Sequence, residues 1–463
     1  MITMDSGKKR RQNRFLIKFW VVAILSLTAW YSFLQLQDKK FTSIAKVANS
    51  VVKILPVDQE RKEELNIIFG IIPEIANEEE KTFLILFQNN NELRPGGGYI
   101  GAFGILKIKG EKVIAIDTHD TNVFDSGIST KIEPPFPMKD YLKVSDWELR
   151  DSNWSPDFAT NAEKAEELYQ IEGGEEELSG VVAISTKLLP SFLEITGPVS
   201  IPGFPGEYNS DNAIEKLQFQ VEKGYVEQGI AQGKRKYIMK DLAKAILLKA
   251  QEGSLSDKKA LVAKMEKHLN EKDVMINFKD TKLQEKIKKL GWNGELKKSE
   301  QDYLMMVDAN MASYKTDQVI KRSFEYTADF SREKPRATLD IKYRHNGRLR
   351  NWYIKDYKSY LRIFVPDGSW LANSENLTDV QYGSEQDKKF FGGIINVPVG
   401  TIKTVSFSYD LPDNVTFENY KILIQKQSGI DLVKGKIKLI DENGKGSGYS
   451  VELKEDWEIE KEG

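Results

Sequence analysis

The chain has no cysteine. Disulfides, thiolate metal sites and a cysteine nucleophile are therefore excluded. Histidine is nearly as scarce: His119, His268 and His345 are the whole supply, too few for a multi-histidine metal centre. An excess of one charge is missing too, because 67 basic residues stand against 69 acidic ones. No basic stripe offers a nucleic-acid footprint, so nucleic acid is not an expected partner. What remains is ordinary globular material, 40% apolar and 29% charged over 463 residues, long enough for two or three domains.

One stretch departs from that texture. Phe19 to Leu34 carries no charge, and Phe15 to Leu36 is interrupted only by Lys18. Such a run can cross the roughly 30 Å of hydrocarbon in a bilayer. Trp20, Trp30 and Tyr31 sit where an aromatic belt would, and Lys18 can extend its ammonium to the headgroups. Lys8, Lys9, Arg10, Arg11 and Arg14 precede the run, whereas Lys39 and Lys40 follow it beside Asp38. The basic bias predicts a cytoplasmic stub over 1–18, a transmembrane helix over 19–36 with the lipid bilayer as its partner, and an extracytoplasmic remainder. No small-residue cleavage site follows the run, so it reads as an uncleaved signal-anchor. Residues 37–79 read as a juxtamembrane stalk. There Ile44, Val47, Val51, Val52 and Leu55 suggest an amphipathic helix that Pro56 ends, and Ile67 to Ile75 form a second apolar patch.

The centre of the chain is the loop Asn89-Asn90-Asn91-Glu92-Leu93-Arg94-Pro95-Gly96-Gly97-Gly98. It lies between an apolar run at 83–87 and a second strand beginning at Tyr99. Amides, a carboxylate and a guanidinium are crowded there, and the glycines allow positive φ and close approach. Two readings stand: a polar turn with Asx hydrogen bonds, or an anion-recognising loop with Arg94 as charged donor. A third strand, 112–116, runs into Asp117-Thr118-His119-Asp120-Thr121-Asn122. Acidic and imidazole groups past a strand end suit an α/β active site, or else a polar loop capping the strand. Asp117 and Asp120 are the candidate ligands for a divalent cation, Mg2+ by its preference for carboxylates. Arg150, Asn153, Trp154 and Asp157 form the next cluster, with Asp157 or Thr160 as N-cap of a helix. Trp154 reads either as a sugar-stacking platform or as a lid on the core. Further strands and helices follow: a strand at 180–184, a helix at 188–195, helical sequence from Asn212 to about Gln251, helices around Leu261 and Leu283, and a strand at 303–307. Strands alternating with helices predict an α/β domain over 80–320.

The run from Phe87 to Gly97 resembles the signature of a bacterial family of unknown activity, the domain of unknown function 4012 family. Asp151 to Phe158, Ile195 to Val199 and Asp308 to Lys315 resemble that family's other blocks in the same order, across most of 80–430. The resemblance implies a membrane-anchored protein of the cell envelope and brings no established activity. A fainter similarity is to the LytR-CpsA-Psr phosphotransferases, which attach lipid-linked glycans to bacterial walls. It implies a LytR-CpsA-Psr-like α/β fold, with Arg94 and the 117–121 loop at the phosphate site. His119 stands where that family's loop would have an arginine, and Gly96 to Gly98 replace an aspartate.

From residue 321 to 463 apolar residues alternate with polar ones, as in Ala337, Leu339, Ile341 and Tyr343 or Val405, Phe407 and Tyr409. Turn pairs such as Asp367-Gly368 separate these runs. The pattern predicts an all-β, sandwich-like domain. The aromatics between Trp352 and Tyr360 read as core. Two functions are compatible with this sequence. One is an extracytoplasmic ligand-binding or scaffold protein directed at envelope or cell-wall glycans. The other is a phosphotransferase acting on polyprenyl-phosphate lipids, in which Arg94 neutralises phosphate and the acidic loops hold Mg2+. The candidate site is Asn89, Asn90, Asn91, Glu92, Arg94, Gly96, Gly97, His119, Arg150, Asn153, Trp154 and Asp157, with Asp117 and Asp120 for metal.

Overall fold

A computed structural model describes residue 52 and residues 57–460, apart from residue 111. The expected transmembrane segment at 19–36 and the amphipathic helix before Pro56 lie outside the described residues, Val52 excepted. Among the described residues no helix is long and apolar enough to cross a membrane.

The second apolar patch of the stalk forms α1 (Gln59–Ile75), whose N-cap Asp58 accepts from Arg61 N. It leads into β1 (Glu80–Asn89), β2 (Tyr99–Lys109) and β3 (Lys112–Asp120), which are joined antiparallel. The short α2 (Thr121–Asp125) and α3 (Phe158–Ile171) follow, the latter capped by Asp157 as its sequence suggested. Then come β4 (Gly180–Ser185), α4 (Leu188–Thr196) and a small hairpin, β5 (Val199–Ser200) with β6 (Glu207–Tyr208). Next are α5 (Ala213–Phe219), α6 (Tyr237–Glu252), α7 (Leu255–Asn270), β7 (Val274–Phe278) and α8 (Thr281–Lys289). The sheet has the order β3-β2-β1-β4-β7.

β1 is central and apolar on both faces, which is why its sequence reads as an unbroken hydrophobic run. Leu84 and Leu86 pack toward α3 with Phe158, Ala165 and Leu168. Phe83 and Ile85 point the other way, onto Ile71 of α1 and Leu283 and Ile287 of α8. Between α5 and α6 the chain is not one helix, as its periodicity suggests, but a wide turn over Gln220–Gly224 and short irregular pieces. Gly229, at φ +68, stops propagation in a conformation that other residues avoid.

The remainder is a β-sandwich. One sheet runs β13-β14-β11-β8-β16-β19, from β8 (Asp302–Asn310), β11 (Tyr357–Pro366), β13 (Thr378–Glu385), β14 (Lys388–Val397), β16 (Lys421–Gln425) and β19 (Trp457–Glu460). The facing sheet runs β12-β15-β10-β9-β17-β18, from β9 (Ile320–Asp329), β10 (Arg336–His345), β12 (Trp370–Glu375), β15 (Ile402–Asp410), β17 (Val433–Ile440) and β18 (Gly446–Leu453). Ala337, Leu339, Ile341 and Tyr343 all turn into one core, as their alternation requires. β8, which the sequence placed at the end of the α/β unit, is a central strand here, paired with β11 and β16. Its Tyr303, Leu304, Met305 and Val307 are buried, and such a run looks the same in either kind of sheet.

The two units meet through polar groups. Lys426, just past β16, is buried at this joint and donates to Glu271 O at 2.7 Å. Burial, with Lys187 and Lys272 nearby, pushes its ammonium down to about 7, while Asp273 and Glu271 oppose the shift. The folded state therefore binds fewer protons than the unfolded chain, in which a lysine titrates near 10.4. The resulting cost is complete below pH 7 and fades as pH rises toward 10.4. Lys426→Met should be more stable than the parent at pH 6.5, and that advantage should shrink by about 2 kcal/mol at pH 9. Urea titrations of both proteins at the two pH values measure it.

Candidate functional site

The strand ends at Asn89 and Ser185, the start of β2 and the segment 213–239 enclose a cleft of about 490 Å³. One wall is apolar and helical: Ile214, Leu217, Val221 and Met239. Asn89, Glu92, Arg94, Tyr99, Asn122, Arg150 and Asp151 line the same cleft, as do Arg235, Lys236 and Lys315. A lining that combines apolar helical side chains with guanidinium and ammonium groups suits a ligand with an apolar body and an anionic head.

Arg94 is the most constrained of these groups. Its Nε donates to Asp151 Oδ1 at 3.1 Å, its Nη2 to Glu92 Oε1 at 3.2 Å and its Nη1 to Asn310 O at 3.2 Å. Burial would lower its pKa, but Asp151 and Glu92 outweigh that and raise it, so the charge is permanent. Tyr99, whose ring lies 5.4 Å from the guanidinium, donates to Asn122 Oδ1 at 2.6 Å. Burial pushes its hydroxyl well above the usual phenol range. Arg150 sits a quarter exposed (24%) within reach of Glu148, Asp125 and Asp151. Lys236 donates to Asp120 Oδ1 at 2.8 Å and to Gly101 O, and Arg235 holds the second oxygen of Asp120. Burial would raise the Asp120 carboxyl, but these two cations hold it below its ordinary value.

Four of the sequence candidates, Asn89, Glu92, Arg94 and Arg150, meet on this cleft. Asn90 instead uses its carbonyl on Thr186 and Ser185, and with Asn91 it borders a second, more polar cavity. Asp117 and Asp120, taken as joint metal ligands, are kept apart. Asp117 is exposed and pairs with Lys240 at 2.8 Å, while Asp120 is buried and neutralised by Arg235 and Lys236. Among the described residues no three histidine, aspartate or glutamate side chains gather as a metal ion requires. His119 lies outside the cleft, stacked on Phe103 at 4.9 Å. Arg94 thus faces the acid of the 149–151 turn and not the 117–121 loop.

Gly96, Gly97, Asn153, Trp154 and Asp157 belong to the joint with the sandwich. Gly96 N donates to Asn153 O at 3.0 Å, and Asn153 Nδ2 donates to Gly98 O at 2.7 Å. A Cβ at Gly96 would meet Asn161 Nδ2 at 2.2 Å, so the loop needs glycine for close packing. Trp154 is no sugar platform. It is 7% exposed and lies parallel to Tyr360 of β11, while its carbonyl accepts from Arg362 Nη2 at 2.9 Å. Both oxygens of Asp157 are used, by Thr160 at 2.8 Å and Leu296 N at 2.8 Å. Gln427 closes the joint, its Nε2 donating to Arg94 O at 3.1 Å and Asp308 O at 2.8 Å.

Arg235, Lys236, Lys315 and the apolar wall were not picked out from the sequence. Their only signal was the basic run Lys234-Arg235-Lys236 inside a lysine-rich stretch that reads as solvated helix faces. The buried pair of His268 Nδ1 and Asp273 Oδ2, 2.9 Å apart beside the second cavity, had no signal at all.

No curated protein matches the sequence. The solved structures similar to it include three distant ones. A candidate nutrient-binding protein from Legionella pneumophila aligns at 8% identity over 30% of this chain, with a TM-score of 0.22. This chain covers 54% of that protein, about half its length. The Lin1025 protein from Listeria innocua aligns at 11% identity over 47% of this chain and 80% of its own, with a TM-score of 0.26. Protein gbs0355 from Streptococcus agalactiae aligns at 11% identity over 47% of this chain and 75% of its own, with a TM-score of 0.30. The match at the level of families is confined to residues 78–221, shorter than the resemblance read from the sequence blocks. Those residues carry the asparagine-glycine loop, Arg150 and one end of the apolar wall. Over those residues the chain matches the family described as protein of unknown function, DUF4012.

Proposed function

We propose that the chain is a single-pass, membrane-anchored protein of the bacterial cell envelope whose extracytoplasmic cleft binds an amphiphilic, anionic envelope ligand, a glycan carried on polyprenyl phosphate. The single observation behind this reading is the cleft's two-sided lining. Leu217, Val221 and Met239 line one cleft together with Arg94, Arg150, Arg235 and Lys236. The basic stub and charge-free run at 1–36 support the anchor and the orientation, with the N-terminus in the cytoplasm. Binding needs no metal ion and leaves the ligand unchanged.

Leu217 and Met239 are partly buried on the cleft wall, so replacing them spares the main core. Full-length protein in bilayer discs, titrated with a fluorescent polyprenyl phosphate, tests the reading. Met239→Glu and Leu217→Glu should each weaken binding about tenfold or more, because burying such a side chain contributes about 1.5–3 kcal/mol. Unchanged affinity in both variants contradicts it.

A second reading, a LytR-CpsA-Psr-like phosphotransferase, is favoured by the three guanidinium groups on one cleft, since phosphoryl transfer rests mainly on positioning and charge neutralisation. It requires Mg2+-dependent release of glycan from a lipid-pyrophosphate donor, which the first reading does not.

A further inference from the structure

The mouth of the cleft carries an unusual rim. Glu222 and Lys315, which line the cleft, are ion-paired, and Lys315 N donates to Tyr353 O at 2.8 Å. These contacts join the irregular segment 219–229 to the loop 346–353 that leaves β10. The next residue, Lys223, places its ammonium 4.2 Å from the ring centre of Trp352. Around this contact Leu349 is 79% exposed, Val226 65%, Trp352 44% and Phe219 44%. Soluble surfaces scatter single apolar residues, but here four large ones fall within four residues of Lys223 or Trp352 along the two joined segments. Arg348 and Lys223 are exposed among them. Tryptophan and leucine interleaved with lysine and arginine is the chemistry of a surface that enters the headgroup region of an anionic bilayer.

The path of the chain points the same way. α1 lies on the sheet face that carries Phe83 and Ile85 and ends where β1 begins. Its first turn is therefore at the other end of the sheet, where Arg61 pairs with Glu266 near the C-terminus of α7. Asp273, just beyond α7, accepts from Ser185 N at the end of β4, and β4 pairs in parallel with β1. The described chain thus starts at the same end of the sheet as the cleft. A span at 19–36 leaves only residues 37–58 to reach it.

We infer that the rim formed by Phe219, Lys223, Val226, Arg348, Leu349 and Trp352 docks on the outer surface of the membrane that anchors the chain, so that the cleft opens toward the lipid headgroups. The inference rests on the anchor in the functional reading and goes beyond it by assigning the surface that meets the bilayer. A lipid-borne ligand then needs to rise only part of the way out of the membrane to enter the cleft.

The cysteine-free chain makes the test direct. Leu349→Cys, Val226→Cys and, at the far end of the sandwich, Asn443→Cys are each labelled with an environment-sensitive fluorophore in the full chain. The labelled proteins are reconstituted into discs of phosphatidylcholine with or without phosphatidylglycerol, with a nitroxide quencher on the headgroup. Quenching at residues 349 and 226 should be at least twice that at 443. It should fall when phosphatidylglycerol is omitted or when Arg348 and Lys223 are both changed to Glu. Equal quenching at all three positions in protein that co-floats with the discs overturns the docking surface while leaving the anchor intact. Failure of the full chain to co-float removes the anchor and the docking surface together.

Discussion

Arg94→Met should cost the protein about 3–5 kcal/mol, the expected loss when one partner of a buried ion pair is removed and the other stays charged. Two carboxylates lose their cation. The side chains of Asp151 and Glu92 are 4% and 10% exposed, and the guanidinium also holds Leu93 O and Asn310 O. Arg150 lies 3.8 Å from Asp151 and compensates only in part. The thermal transition should drop by roughly 10 °C. Arg94→Lys keeps the charge without the planar fork and should fall between parent and Met variant. Differential scanning calorimetry of parent, Met and Lys proteins at pH 7 measures it. A Met variant as stable as the parent would show that the asparagine-glycine loop does not depend on this network.

Gly429→Ala should be at least as damaging. Gly429 has φ +85, and an added Cβ would lie 2.0 Å from Gly97 O and 2.8 Å from Gly97 C. Both atoms are backbone, so no side chain can move aside. The loop of the α/β unit and the sandwich have to separate at this contact, with a loss of at least about 3 kcal/mol from overpacking and positive φ together. Gly444→Ala is the control, since φ is +77 there but nothing lies within 4 Å of the new Cβ. It should cost only about 1 kcal/mol, the conformational part alone. Chemical denaturation separates the two cases, and equal small effects would refute the close contact.

These two positions also show how far a sequence can be read. The strands at 337–343 and 405–409 were legible because alternation is a local signal and one face of each must be covered. β1 was legible as a strand for the opposite reason, since it is covered on both faces. The Asp157 cap was legible because an N-cap acts within three residues. The loop at 89–98 was visible as polar and glycine-rich, but not what it does. Its partners Asp151, Asn310 and Gln427 are far away in sequence, and no periodicity announces them. Gln427 and Gly429 press on the loop from the sandwich, more than three hundred residues further along the chain. Trp352, read as core with its neighbours, is exposed, whereas Tyr357 is buried in the sandwich and Tyr360 against Trp154. The cleft's cations were unreadable because Arg235 and Lys236 bury themselves by pairing with Asp120, which sequence alone separates from them by more than a hundred residues. Asp120 looked like a metal ligand until that pairing was seen.

The central claim is that an amphiphilic anion occupies the cleft between α5, α6 and the Arg94 floor. A polyprenyl phosphate carrying a photoreactive group along its chain, crosslinked to the full-length protein in bilayer discs and mapped by mass spectrometry, tests it most directly. The expected adducts fall on Leu217, Val221 and Met239 and are competed away by unlabelled polyprenyl phosphate. Adducts confined to the sandwich or to the second cavity beside His268, or none that compete, would contradict it.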